Sequence, residues 1–235
     1  MKWLWIALLL PPFVLALAPF ERRAPAVHGN DGFLNYAYAR SLLVSADLDF
    51  TDDYAAFDAL GRDVTYRTAD TPVDPHTGRP VNRYGWGSSL LWAPLLIPAH
   101  LVAAIIPGWS ADGLAPPYFF AVRLGTALWG VLGLALLAGI ARRRLLIPSD
   151  DGFAVLAAAV LVLATNLGFY LYLHPSMSTG PAFAIAAIAL WLIDRLSERQ
   201  RAGLGFALGL VLSLLLATRY GDLGFVVGLL PAIWA

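Results

Sequence analysis

"SSLLWAPLLIPAHLVAAII", residues 88–106, decides how this chain is arranged. It is apolar and close to the roughly 20 residues that cross a bilayer as a helix. Three features argue against a simple crossing. Pro94 and Pro98 interrupt it, His100 sits inside it, and Pro107 ends it. The arginines supply an independent test. Clear apolar runs cover 118–141, 153–173, 179–193 and 203–218, and Arg142-Arg143-Arg144 and Arg195/Arg199/Arg201 fall in the short connections between them. The positive-inside rule places both connections in the cytoplasm. With the amino terminus inside, the parity of crossings then requires that 88–106 does not cross. It is expected to be a re-entrant or interfacial helix.

Toward the amino terminus, residues 3–18, "WLWIALLLPPFVLALA", form the first apolar run, preceded by Lys2. "ALA" at 16–18 resembles a signal-peptidase site, but Pro19 disfavours cleavage, so a retained span kinked at Pro11-Pro12 is expected. Either way residue 19 emerges on the far side, and the outer loop runs over 19–117. Toward the other end, the apolar segment 223–235 has only thirteen residues. It is read as a truncated span of a longer protein.

Composition agrees with this plan. The chain is 59% hydrophobic and 14% charged, with a mean hydropathy of +0.66. A soluble domain carries nearer a quarter of charged residues. The expected class is all-α: a polytopic membrane helix bundle forming one transmembrane domain over 1–235. Acidic and basic residues balance at 16 each, so no basic field favours nucleic acid. Cysteine is absent, which excludes disulfides, thiolate nucleophiles and cysteine metal sites.

The charge is concentrated in the outer loop. Residues 19–85 hold ten of the sixteen acids and seven of the sixteen basic residues. Residues 28–54, "HGNDGFLNYAYARSLLVSADLDFTDDY", gather five aspartates and five Phe/Tyr rings. Within them 32–45 reads as a short helix with Phe33, Tyr36, Ala37, Leu43 and Val44 near one face, suited to the membrane–water boundary. Thr51 can cap a second short helix ending at Gly61, and "TPVDPHTGRP" (71–80) is turn material. Asn30 or Asp31 could cap the helix that follows. Trp86, Trp92 and Trp109 read as interface anchors. Small residues at four-residue spacing in "RLGTALWGVLGLALLAG" and "GLGFALGL" suggest close helix packing within the bundle.

The stretches "NDGFLNYAYARSLL" (30–43), "DLDFTDDY" (47–54), "TGRPVNRYGWGSSLLWAP" (77–94), "HPSMSTGPAF" (174–183) and "LATRYGDLGF" (216–225) together resemble the GT-C fold glycosyltransferases. Within that fold the pattern is similar to the protein mannosyltransferase and aminoarabinose transferase group, the glycosyltransferase family 39-like proteins. The resemblance implies a multi-pass protein of the cell (inner) membrane with its active site facing outside. It implies transfer of a sugar from a polyprenyl-phosphate carrier to an acceptor hydroxyl, with inversion. Asp31 would be the catalytic base, accepting the acceptor's proton. The carrier phosphate is a good leaving group, so one carboxylate can suffice where an ordinary glycoside needs two.

For the carrier phosphate, the resemblance points to Arg219. Arg123, also within an apolar run at its outer end, is a second candidate, since a lone buried arginine is costly; snorkelling to the interface is the alternative for each. Arg83 with Tyr84, and Arg79, could cradle the same group or simply face solvent. His174 stands where the resemblance leads one to expect an acid. It could orient the acceptor, share a divalent metal with Asp31, or be structural. Asp52 and Asp53 are outside candidates for a metal or acceptor contact. No P-loop, dinucleotide fingerprint, zinc-protease motif or nucleophile elbow is present. The competing readings are a non-enzymatic membrane carrier or lipid-binding protein, and an inactive fragment.

Overall fold

A computed structural model of the chain describes residues 29–60, 71–144, 151–199 and 201–234. The expected first span, 3–18, and Gly61 lie outside the described residues. The described residues form eight α-helices in order: α1 (Gly29–Arg40), α2 (Thr51–Ala59), α3 (Gly87–Ile105), α4 (Pro116–Arg144), α5 (Asp151–Leu163), α6 (Thr179–Glu198), α7 (Ala202–Thr218) and α8 (Leu223–Trp234). Single π-helical turns at Ser41–Ser45 and Phe169–Leu173, and a 3-10 turn at Tyr220–Asp222, join some of them. The described residues contain no strand. An isolated bridge between Val73 and Pro80 closes the 71–80 turn. Among the described residues three helices, α3, α4 and α6, are long and apolar enough to cross a membrane. The described residues are thus mostly helical, with the helix length and hydropathy of a membrane protein.

The prolines of α3 do not interrupt it: Pro94 and Pro98 both lie inside one 19-residue helix. A proline loosens the backbone ladder one turn before it. Pro94 withholds its amide from the Leu90 carbonyl, and beside it Trp129 Nε1 of α4 donates to the Leu91 carbonyl at 2.8 Å. α3 runs antiparallel to the first half of α4. Trp92 Nε1 donates to Thr126 Oγ1 at 2.9 Å, and the Tyr118 hydroxyl meets His100 Nδ1 at 2.7 Å.

The second half of α4 has a different neighbour. α6 begins beside Thr126, where Gly180 packs, and runs parallel to α4 until Asp194 receives Arg143 and Arg144 at 2.5 and 2.6 Å. Glycines 130 and 133 admit Leu171 and Phe183, leaving no room for a Cβ. The small-residue pattern of α4 therefore does mark close packing. That of α7 does not, because Gly203, Gly205 and Gly209 face open space. α7 returns antiparallel to α6, with Leu215 against Ala182 and Ile185, and Leu208 against Ala189 and Leu192.

The expected span 153–173 is broken. α5 stops at Leu163, and Gly168 folds back onto the Val162 carbonyl so closely that a side chain would overlap it. Thr165 holds the bend, donating to the Leu161 carbonyl and accepting from Leu167 N.

The outer segment has its own core. Phe33, Tyr36 and Ala37 of α1 and Phe57 of α2 pack on Trp92 and Leu96 of α3 and on Tyr118 and Val122 of α4. Tyr36 and Trp92 are completely buried. Phe33, Tyr36 and Trp92 are therefore core residues rather than boundary anchors, while Trp86 and Trp109 remain exposed. α2 also starts differently than expected. Thr51 is its first residue, and Asp49 Oδ1 accepts from Thr51 N and Oγ1 at 3.2 and 2.6 Å.

A buried ion pair ties this core together. Arg40 Nη1 meets Asp53 Oδ1 at 2.6 Å and Asp52 Oδ2 at 3.4 Å, while its Nε donates to the Asp112 carbonyl at 2.8 Å. Burial pushes the Asp53 carboxyl up to about 6 despite Arg40. Asp52 and Asp53 are thus engaged by Arg40 as structural partners.

Candidate functional site

Where α1 begins, α6 begins and α7 ends, a cavity of about 300 Å³ opens. Asp31, Tyr84, Tyr170, Ser178, Arg219 and Tyr220 line it. Asp31 lies in the first turn of α1, where a negative charge complements the helix dipole. It does not cap the helix from outside. Its Oδ1 accepts a short hydrogen bond from the Tyr84 hydroxyl, and its main-chain carbonyl accepts from Asn35 Nδ2 at 2.7 Å. Burial, and then the hydrogen bond to Asp31, push the Tyr84 phenol up to about 12, so it remains a donor at neutral pH.

The segment that carries Tyr84 is held on both sides. Asn82 Oδ1 accepts from Tyr84 N at 3.0 Å, Asn82 Nδ2 donates to the Leu34 carbonyl at 2.8 Å, and the Tyr38 hydroxyl donates to the Tyr84 carbonyl at 3.0 Å. Leu34 and Tyr38 belong to α1, as Asp31 does, so carboxylate and tyrosine share one scaffold. The chain then crosses the end of α7. A Cβ on Gly85 would overlap the Ala217 carbonyl, and one on Gly87 would overlap the Thr218 hydroxyl. Only glycine lets backbone approach backbone this closely. This contact sets α1 and its carboxylate beside Arg219.

Arg219 ends α7 in an extended conformation, with its side chain half exposed. Nη1 donates to Thr179 Oγ1 at 3.4 Å, and Nε lies 3.8 Å from Asp222 Oδ1. Arg219 also lines a second cavity of about 210 Å³, with Phe183, Ala186, Leu215, Asp222 and Phe225. Burial raises the Asp222 carboxyl above its ordinary range, and Arg219 only partly offsets this.

Of the residues singled out from sequence, the structure brings Asp31, Tyr84 and Arg219 to one cavity. It does not bring the others. Arg123 is buried in α4 where α1 and α3 cover that helix, away from the cavity lining. Arg83 is exposed, also outside the lining, and its charge acts on Tyr54 and Tyr84. His174 stacks on Phe169, with centroids 4.5 Å apart and planes at 22°, and is not part of the lining either. Among the described residues no group of three or more His, Asp or Glu converges as a metal would require. Sequence reasoning missed Tyr38, Asn82, Gly85 and Asp222. Of these only Gly85, in "YGWG", carried a local signal, since paired glycines in a loop mark close backbone approach.

No family model matches the chain, and no curated protein and no solved structure matches it.

Proposed function

We propose that this protein is a membrane glycosyltransferase, moving a sugar from a polyprenyl-phosphate carrier to an acceptor hydroxyl with inversion. One observation carries the reading: a single cavity is lined by a tethered carboxylate, Asp31, in the first turn of α1, and by a cation, Arg219, at the end of the apolar helix α7. With Oδ1 held by Tyr84, Asp31 has Oδ2 to accept the acceptor's proton as the hydroxyl oxygen attacks the anomeric carbon. The bond from that carbon to the phosphate oxygen breaks, and the phosphate leaves with the electron pair. Arg219 supplies charge-assisted hydrogen bonds to the departing phosphate. Among the described residues, the lining gathers too few carboxylate and imidazole donors to hold a metal by itself.

In this reading α6, α7 and the second half of α4 form the spanning layer, with the Arg142–Arg144 end in the cytoplasm. α1 and α3 then lie on the outer side. The exposed apolar stripe of α3, Leu90, Ile97, Leu101 and Ile105, suits the boundary.

Asp31→Asn in the full-length protein should abolish sugar transfer from the lipid carrier while membrane insertion is retained. Transfer at the wild-type rate removes Asp31 as the base. A second reading, lipid handling without chemistry, draws on an apolar groove of about 580 Å³ between α3 and α4, lined by Val102, Trp109 and Phe120 among others. Lipid binding by a wild-type protein that transfers no sugar from any carrier would favour it.

A further inference from the structure

At the end of the bundle away from the Asp31 cavity, α4 and α6 finish and α7 starts. Residues 142–144 and 191–201 hold six arginines against two acids, Asp194 and Glu198. Both acids are already engaged. Asp194, its side chain 3% exposed, receives Arg143 at 2.5 Å and Arg144 at 2.6 Å, and Arg144 also reaches Ser197. Glu198 meets Arg195 at 3.2 Å, and the Arg195 guanidinium lies 5.5 Å from the Trp191 ring. Arg199 and Arg201 follow in the connection to α7. Both are exposed, and among the described residues no acid pairs with either. Helix stability accounts for Arg199, which closes α6 at its negative end, but not for Arg201. Arg201 stands at the positive end of α7, whose first turn holds no acid.

We infer that this end of the bundle binds an anionic diacyl phospholipid, with the headgroup phosphate on Arg199 and Arg201. The inference is independent of the transferase reading and needs only that α4 and α6 cross a membrane. Depth, charge and shape select this occupant. The 20 residues of α6 rise roughly 30 Å, the thickness of the hydrocarbon layer. The arginines that follow it therefore emerge at headgroup level, and Trp191 beside Arg195 is a ring of the kind enriched near that level. Six arginines against two acids leave an excess of four positive charges, which draws anionic lipid to a membrane surface. A guanidinium also matches phosphate with paired hydrogen bonds. The Asp194 clamp fixes α4 against α6, so the free charges of the connection sit beside a rigid base. Past Arg201, α7 turns an apolar face outward. Phe206 and Leu210 are 71% and 57% exposed, and Gly209 has open space beside it. Acyl chains lie against such a face below their headgroup, whereas a soluble phosphate makes no use of it.

The test needs neither sugar nor turnover. The full chain in mild detergent is offered an equimolar mixture of phosphatidylglycerol and phosphatidylcholine with identical acyl chains. Retained lipid is then counted by native mass spectrometry. Phosphatidylglycerol should be retained roughly tenfold over phosphatidylcholine, and the preference should fade as salt rises. The double variant Arg199→Gln/Arg201→Gln should lower phosphatidylglycerol retention by more than tenfold. Both side chains are exposed, so its thermal midpoint should match that of the wild type. Arg79→Gln, which removes a charge from the outer segment, should leave retention unchanged. Equal retention of the two lipids by the wild-type chain overturns the site. So does undiminished preference in the double variant, or an equal loss in Arg79→Gln. Displacement by inorganic phosphate at the same concentration as the lipid assigns the arginines to a soluble anion and also overturns it.

Discussion

The Tyr84 hydroxyl donates to Oδ1 of Asp31 across 53 residues of sequence. The bond joins the first turn of α1 to the segment leading into α3. It leaves the carboxylate one oxygen committed and one available. Removing the donor with Tyr84→Phe should cost roughly 1.5–3 kcal/mol, the range for a hydrogen bond to a charged group. The loss should appear as a ten- to hundredfold drop in kcat with little change in KM for the carrier. Steady-state transfer kinetics distinguish this from a binding defect, in which KM would rise and kcat would hold.

Gly85 and Gly205 make a matched pair of substitutions. An added methyl at Gly85 meets backbone at Ala217, whereas one at Gly205 meets nothing. Gly85→Ala should destabilise by about 1–3 kcal/mol, as overpacking does. Gly205→Ala should be neutral or slightly stabilising, because alanine is the better helix former. Thermal unfolding in detergent reads both, and equal midpoints for the two variants would contradict the close approach at α7.

The buried Asp53 predicts a pH dependence. Its carboxyl titrates near 6 in the folded chain, raised by burial, against an ordinary value near 4. The folded state therefore binds the proton more tightly than the unfolded one. The stability from this group is fully present below about pH 4 and is lost as pH rises through 6, by up to about 3 kcal/mol. Asp53→Asn should flatten the midpoint over that window. Arg40→Met should cost about 3–5 kcal/mol at pH 7, since it strands a buried charge.

Arg219 and Asp222 should have opposite effects. Arg219→Ala removes the cation and should weaken polyprenyl phosphate binding by one to two orders of magnitude. Asp222→Asn removes a competing carboxylate held 3.8 Å from the guanidinium and should tighten binding by a few-fold. Titration of the solubilised protein with the phosphorylated lipid measures both. Weaker binding by Asp222→Asn would show that the carboxylate helps to hold Arg219 in place.

Sidedness is checked by labelling, because the chain has no cysteine of its own. Ser110→Cys, on the exposed loop between α3 and α4, should react with an impermeant maleimide from outside the cell. Reaction only after permeabilisation would make α3 a true crossing.

The sequence by itself determined the class of the molecule. Long apolar runs closed by arginine clusters allow little but membrane helices, because hydropathy and flanking charge are properties of contiguous residues. It marked Arg219 as a charge at the end of an apolar run, which is visible locally, while Asp31 was singled out by the resemblance to the GT-C glycosyltransferases. Tertiary structure decided which faces meet. Phe33, Tyr36 and Trp92 have the composition of boundary anchors yet form a core, because an apolar face reads alike whether lipid or protein covers it. Arg123 and Arg219 look equivalent in sequence, but the first is buried within the helix packing while the second faces two cavities. The clip made by Tyr38, Asn82 and Gly85 depends on contacts between segments far apart in the chain. No local pattern of residues encodes such pairings, because they exist only once the helices have packed.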